Sequence, residues 1–245
     1  MTIISIDMSG HSKWSTIKRQ KETKDIAKSK VFSRLSRAIS IAVKSGGGPD
    51  PNSNYKLRIA IDTARSANMP KDNIERAISK ASSSADLYEI TYEGFGPNGI
   101  SVMVETATDN KNRTSQEIKN LLERGGGSLG GPGSVSFNFE HKGFIQIQKD
   151  VALVEAQMLK LIDLGVENID DNPSTLDVYV SPSELSTKKE LLEKNNFIIL
   201  KTELIQKAIN LINLPKESRE KIDKFIDAIY DHDDVQAVYT NASYN

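Results

Sequence analysis

Cysteine is absent from all 245 residues, which removes disulfides, thiolate metal ligands and cysteine nucleophiles together. Histidine is scarce: His11, His141 and His232 lie far apart, so a zinc cluster has no support in their spacing. No apolar run approaches the ~20 residues that a membrane-spanning helix needs. The opening MTIISIDMSG lacks the basic n-region of a signal peptide. A catalytic constellation is missing too, since no His–Asp pair stands beside a nucleophile and the carboxylates are scattered. The expectation is a cytoplasmic, non-enzymatic protein with no cofactor, no metal and no membrane partner.

Net charge is also nearly absent, at −1, but only because two large charges cancel. Gly10–Lys44 holds ten cations, Lys13, Lys18, Arg19, Lys21, Lys24, Lys28, Lys30, Arg34, Arg37 and Lys44, against Glu22 and Asp25. From Gly10 to Lys80 sixteen cations face six anions, whereas residues 81–245 hold sixteen cations and twenty-six anions. A basic head on an acidic body is the charge pattern of a polyanion binder. Most charge runs are solvated helix faces, but this excess continues well beyond one helix. It points to nucleic acid or the ribosome.

Hydrophobic period divides the chain. Residues 1–23 show little apolar pattern and read as a flexible basic arm, with residues 1–9 a disordered leader in which Met8 is a candidate start. Phe32, Leu35, Ile39 and Val43 then sit at helical spacing until Gly46-Gly47-Gly48-Pro49 stops the helix. Leu57, Ala60, Ile61 and Ala64 predict a second helix, and Ile74, Ala77 and Ile78 a third behind Pro70. Residues 24–81 thus read as a helical basic domain, closed by a linker at Ala81–Ser84.

Beyond the linker the period switches to two. Strands are expected at Tyr88–Glu93, Ile100–Thr106 and Gly133–Glu140, with a helix at Arg113–Glu123. The order Phe144–Gln148 (strand), Ala152–Leu164 (helix), Val166–Asp170 and Leu176–Val180 (strands), Ser183–Lys194 (helix), Phe197–Leu200 (strand) is βαββαβ, a ferredoxin-like unit. A strand near Thr202–Lys207, a helix over Lys216–Tyr230 and a strand at Val235–Thr240 rejoin the elements before residue 141. The fold class is therefore α+β, a three-helix domain followed by two ferredoxin-like α/β domains. One of these, 142–201, is inserted in the other, 85–141 plus 202–245.

Several motifs have two uses. Gly94-Phe95-Gly96-Pro97-Asn98-Gly99 matches GxGxxG, but a strand follows where a dinucleotide site needs a helix, so it reads as a hairpin loop. Gly125–Gly133 lacks the Gly-Lys-Ser/Thr ending of a phosphate loop and reads as a helix stop. Asp109–Thr114 suits a capping turn, with Asn110 or Asn112 as N-cap, and equally a contact for RNA or a partner. Trp14 is the single tryptophan. It anchors a core or, flanked by Lys13 and Lys18, stacks on a base. Asp231-His232-Asp233-Asp234 reads as an acidic turn, with a metal as the less simple use.

Gly10-His11-Ser12-Lys13-Trp14, Asn68-Met69-Pro70-Lys71-Asp72-Asn73-Ile74, Thr91-Tyr92-Glu93-Gly94, Thr108–Thr114 and Gly133-Ser134-Val135-Ser136 together resemble the YebC/PmpR family. The resemblance runs from about Met8 to the C-terminus. It implies a three-domain, non-enzymatic regulator of gene expression: a DNA-binding transcriptional regulator or, alternatively, a ribosome-binding translation factor or translational activator. Promoter DNA and ribosomal RNA are then the competing partners. The family commonly carries His-Arg where this chain has Arg19-Gln20, so a role of that histidine does not transfer. The expected nucleic-acid contacts are Lys13, Trp14, Lys18, Arg19, Lys21, Lys24, Lys28, Lys30, Arg34 and Arg37, with Lys71, Lys111 and Arg113 as secondary ones.

Overall fold

The computed structural model describes residues 24–83, 87–166 and 168–244. The head is three helices, α1 (Lys24–Ser45), α2 (Tyr55–Ser66) and α3 (Lys71–Ser83). Ile39 and Val43 meet Leu57, Ile61 and Ala64 of α2 and Ile74 and Ala77 of α3 in one buried cluster. The expected linker residues Ala81–Ser83 are instead the last turn of α3, because buried Ala81 belongs to that cluster.

One buried side chain makes the turn between α1 and α2. Asn54 accepts the Leu57 N–H on Oδ1 at 3.0 Å and donates from Nδ2 to the carbonyls of Ala42 and Gly48, both at 2.8 Å. A single amide thus closes α1 and opens α2, satisfying groups that helix ends leave unpaired. A Cβ at Gly46 would lie 2.1 Å from Asn54 Oδ1, so that position needs glycine.

The body begins with β1 (Tyr88–Phe95), β2 (Ser101–Thr108), α4 (Lys111–Arg124) and β3 (Ser128–Leu129). Next come β4 (Phe139–Gln148), α5 (Val154–Asp163), β5 (Asn168–Asp171), β6 (Thr175–Val180), α6 (Leu185–Lys194) and β7 (Ile199–Ala208). The chain ends with β8 (Ile212–Leu214), α7 (Arg219–Tyr230), β9 (Val235–Thr240) and β10 (Ala242–Tyr244). Two four-stranded sheets run in the orders β3-β1-β2-β9 and β5-β6-β4-β7, and β8 and β10 form a short parallel pair. The second sheet is antiparallel throughout, and its βαββαβ order is the ferredoxin-like one.

Each sheet buries one face under helices: Val102, Val104 and Val238 under α4 and α7, and Ile145, Ile147 and Val178 under α5 and α6. The remaining faces meet each other through Met103, Ala237 and Tyr239 on one side and Phe144, Tyr179 and Ile205 on the other.

Several strand ends shift by one or two residues from the expectation, and in two places the strands themselves differ. Gly133–Glu140 and Phe144–Gln148 are not two strands: residues 133–138 form a turn and a short 3-10 helix, and β4 runs unbroken from Phe139 to Gln148. Likewise Phe197–Leu200 and Thr202–Lys207 merge into β7, which pairs with β4 from Phe139↔Ala208 to Ile147↔Ile199. Gly143 looks like a break in the sequence. It is a close approach instead, since a Cβ there would lie 2.9 Å from Val180 and 3.0 Å from Leu185. The short strands β3, β8 and β10 carry too little pattern to be expected from sequence.

Candidate nucleic-acid interface

The spacing of Lys30, Arg34 and Arg37 places them on one face of α1. That face meets the turn between α7 and β9. Arg34 donates from Nε to the Val235 carbonyl at 3.1 Å and from its second terminal nitrogen to the Tyr230 carbonyl. Its guanidinium also lies 3.9 Å from the centre of the Tyr230 ring. Arg37 donates to the Asp233 carbonyl and, at 2.9 Å, to Asp234 Oδ1. Lys30 reaches Asp231 at 3.4 Å.

Asp234 is the hub. Its side chain is only 4% exposed, and its Oδ2 accepts from Arg113 and from the Thr114 hydroxyl, both at 2.7 Å. Burial pushes this carboxyl up, but the Thr114 and Arg113 hydrogen bonds and the charges of Arg37 and Arg113 outweigh it. The result is held below the usual aspartate value. Arg37 and Arg113, 76 positions apart in sequence, are brought to one carboxylate. Asn110 is the N-cap that presents Arg113, accepting its backbone N–H at 3.1 Å.

Other expected contacts sit elsewhere. Lys28 is exposed on α1, and Lys71 is exposed at the start of α3, 3.4 Å from Glu75. Lys111 lies over the Tyr88 ring at 3.9 Å. Lys24 is the first residue of α1. Lys13, Trp14, Lys18, Arg19, Lys21 and the expected flexibility of the arm lie outside the described residues.

The acidic turn has a second geometry. Glu117, His232 and Asp234 bring ligand-type atoms within 4.8 Å of one another. Yet His232 Nδ1 accepts the Asp234 N–H at 3.1 Å and Nε2 meets Glu117 at 2.8 Å, while both Asp234 oxygens are engaged. A set whose two histidine nitrogens and both Asp234 oxygens are already hydrogen-bonded does not fit a metal. The Gly125–Gly133 loop is similarly occupied from within. Glu93 accepts the N–H groups of Gly133, Val135 and Ser136, each at 2.8 Å, so an anion already fills that cradle. Of the expected loop Gly94–Gly99, Gly94 and Phe95 are still paired in β1, opposite Val102 and Ser101, and the hairpin turn into β2 is Gly96–Ile100, with Asn98 left-handed at φ 61°.

Sequence reasoning missed the docking role of Asp231–Asp234. The available signal was an acidic run directly after a helix C-terminus, opposite in charge to the head. It missed a second clip as well: Lys189 of α6 lies 2.6 Å from Asp62 of α2. Between the two clips lies a cavity of about 770 Å³, lined by Leu35, Ile59, Thr91, Glu105, His141 and Thr202 among others. Burial, ahead of the charge of Lys56 and against that of Glu89, lowers the pKa of His141, which favours its neutral form.

A basic, separately cored helical head clipped to a two-sheet acidic body defines a class of three-part α+β proteins. Residues 12–84 match the model of the TACO1/YebC protein N-terminal domain, and residues 87–242 that of the TACO1/YebC second and third domain. The chain belongs to the TACO1/YebC family. It is 42% identical over 239 residues to a Bacillus licheniformis protein named "probable transcriptional regulatory protein", covering 96% of this chain and 99% of that one. An Enterococcus faecalis protein of the same name is also 42% identical, with 96% and 99% covered. The crystal structure of a conserved hypothetical protein from Aquifex aeolicus matches with a TM-score of 0.85 at 38% identity, over 95% of this chain and 97% of that one. Among the described residues no helix is long and apolar enough to cross a membrane.

Proposed function

We propose that the chain is a non-enzymatic nucleic-acid-binding regulator of gene expression that acts on DNA as a transcriptional regulator. The observation that carries this is the charge partition: residues 24–83 hold twelve cations and five anions within a unit that has its own core. Such a unit concentrates phosphate contacts on one end of the molecule. The arm cations Lys13, Lys18, Arg19 and Lys21 continue the same charge toward Lys24 and Lys28. The relatives' shared name supports a regulatory role.

A second reading, ribosomal RNA bound by a translation factor, is favoured by the outer surface of α3. There Lys71, Asp72, Glu75 and Arg76 are all exposed, a mixed-sign face better suited to backbone and shape than to reading base edges. Crosslinking in cells, followed by parallel sequencing of bound DNA and RNA, tests both. Enrichment at promoters is the expected result. Recovery of ribosomal RNA alone would overturn the DNA assignment, and recovery of neither would overturn the function.

A further inference from the structure

We propose that the body latches the head shut. In this arrangement the turn after α7 holds Lys30, Arg34 and Arg37 in place of phosphates, and nucleic acid must displace it. The inference rests on the nucleic-acid reading above.

The groups that hold the arginines behave chemically like a phosphate cluster. The C-terminus of a helix gathers unpaired carbonyls and the negative end of its dipole. At α7 that end is followed by Asp231, Asp233 and Asp234, and it receives the guanidinium donors of Arg34 and Arg37. A forked guanidinium makes the same contacts to phosphate oxygens. While the head is docked, three of the expected nucleic-acid contacts are therefore occupied.

The docking is also built to open. The head's core is its own, and its hydrophobic contact with the inserted unit's cluster comes from Ile59. Among the described residues, polar contacts clip the head on at two places, Lys30, Arg34 and Arg37 at the turn, with Arg34 also over the Tyr230 ring, and Asp62 on Lys189, with the cavity of about 770 Å³ between them. A surface facing a void forfeits the dispersion contacts that make a packed interface permanent. Opening leaves no bare buried carboxylate, because Asp234 keeps Arg113 and Thr114 on Oδ2 when Arg37 departs from Oδ1. If the closed form dominates tenfold, apparent affinity falls by about the same factor.

The absence of cysteine permits a clean test. Asp62→Cys with Lys189→Cys, joined by a reducible bis-maleimide, locks the second clip. Binding of the full chain to random-sequence duplex DNA and to a ribosomal RNA stem-loop is then measured by fluorescence anisotropy, before and after reduction. The locked form should bind about tenfold or more weakly and recover on reduction. Lys189→Ala supplies an independent sign. It removes a cation, so charge alone would weaken binding, whereas release of the latch should tighten it by roughly 2–5-fold. Equal binding by the locked and reduced forms, or weaker binding by Lys189→Ala, would overturn the latch alone. If neither the wild-type chain nor any variant binds either probe, the nucleic-acid reading falls and takes the latch with it.

Discussion

At the scale of single residues, Asn54 and Glu93 each organise a loop from one side chain. Asn54→Ala leaves the Ala42 and Gly48 carbonyls and the Leu57 N–H without their partner in a fully buried site. The expected cost is about 2–4 kcal/mol, read by urea unfolding of the full chain. Glu93 carries a pH dependence. Burial pushes its carboxyl up, but the N–H groups of Gly133, Val135 and Ser136 outweigh this and hold it below the ordinary glutamate value. A folded pKa below the unfolded one contributes stability above the unfolded value, and that stability is lost as pH falls through the folded value. Glu93→Gln should therefore be less stable than the wild type at neutral pH, and the gap should close in acid. A gap of constant size across the titration would show that the carboxylate charge is not what holds the loop.

At the scale of elements, the β4–β7 ladder decides where the body can be cut. The ladder runs from Phe139↔Ala208 to Ile147↔Ile199 with one register shift, between Gln146 and Ile147, so a fragment bounded at 142 and 201 cuts both strands within their pairing. Residues 139–208 keep the whole ladder with α5 and α6, and we expect this longer fragment to fold where 142–201 does not. Circular dichroism melts of the two fragments distinguish the outcomes. The longer fragment should also self-associate in light scattering. It bares Phe144, Tyr179 and Ile205, which in the whole chain face Met103, Ala237 and Tyr239.

At the scale of the molecule, head and body oppose each other in charge and have separate cores. Residues 87–244 should fold without the head and lose polyanion binding; retention of full affinity by that fragment would move the interface onto the body. Within the arm, replacing Lys13, Lys18, Arg19 and Lys21 with alanine should flatten the slope of log K against log salt by roughly 3–4 units on duplex DNA. Trp14→Ala should weaken binding by about 1–3 kcal/mol if the ring stacks on a base, and leave the slope nearly unchanged. Unfolding of the head by Trp14→Ala, with an intact salt slope in the four-alanine variant, would make the arm structural instead.

The helices of the head, their stops and the switch to strands were legible from local pattern alone. Phe32, Leu35, Ile39 and Val43 repeat at helical spacing, and Gly46–Pro49 ends the run as glycine and proline dictate. Charge partition was legible too, because a count of cations and anions needs no coordinates. The fate of those charges was not. Lys28 and Arg34 look alike in sequence, yet one is exposed and the other is tied to Tyr230 and Val235, about two hundred positions away. The same holds for Gly143, whose missing side chain marks a close approach to Val180 and Leu185 rather than the end of a strand. Period and composition are properties of neighbours along the chain, whereas the partner of a long, flexible cation is set by whatever tertiary packing places at its tip.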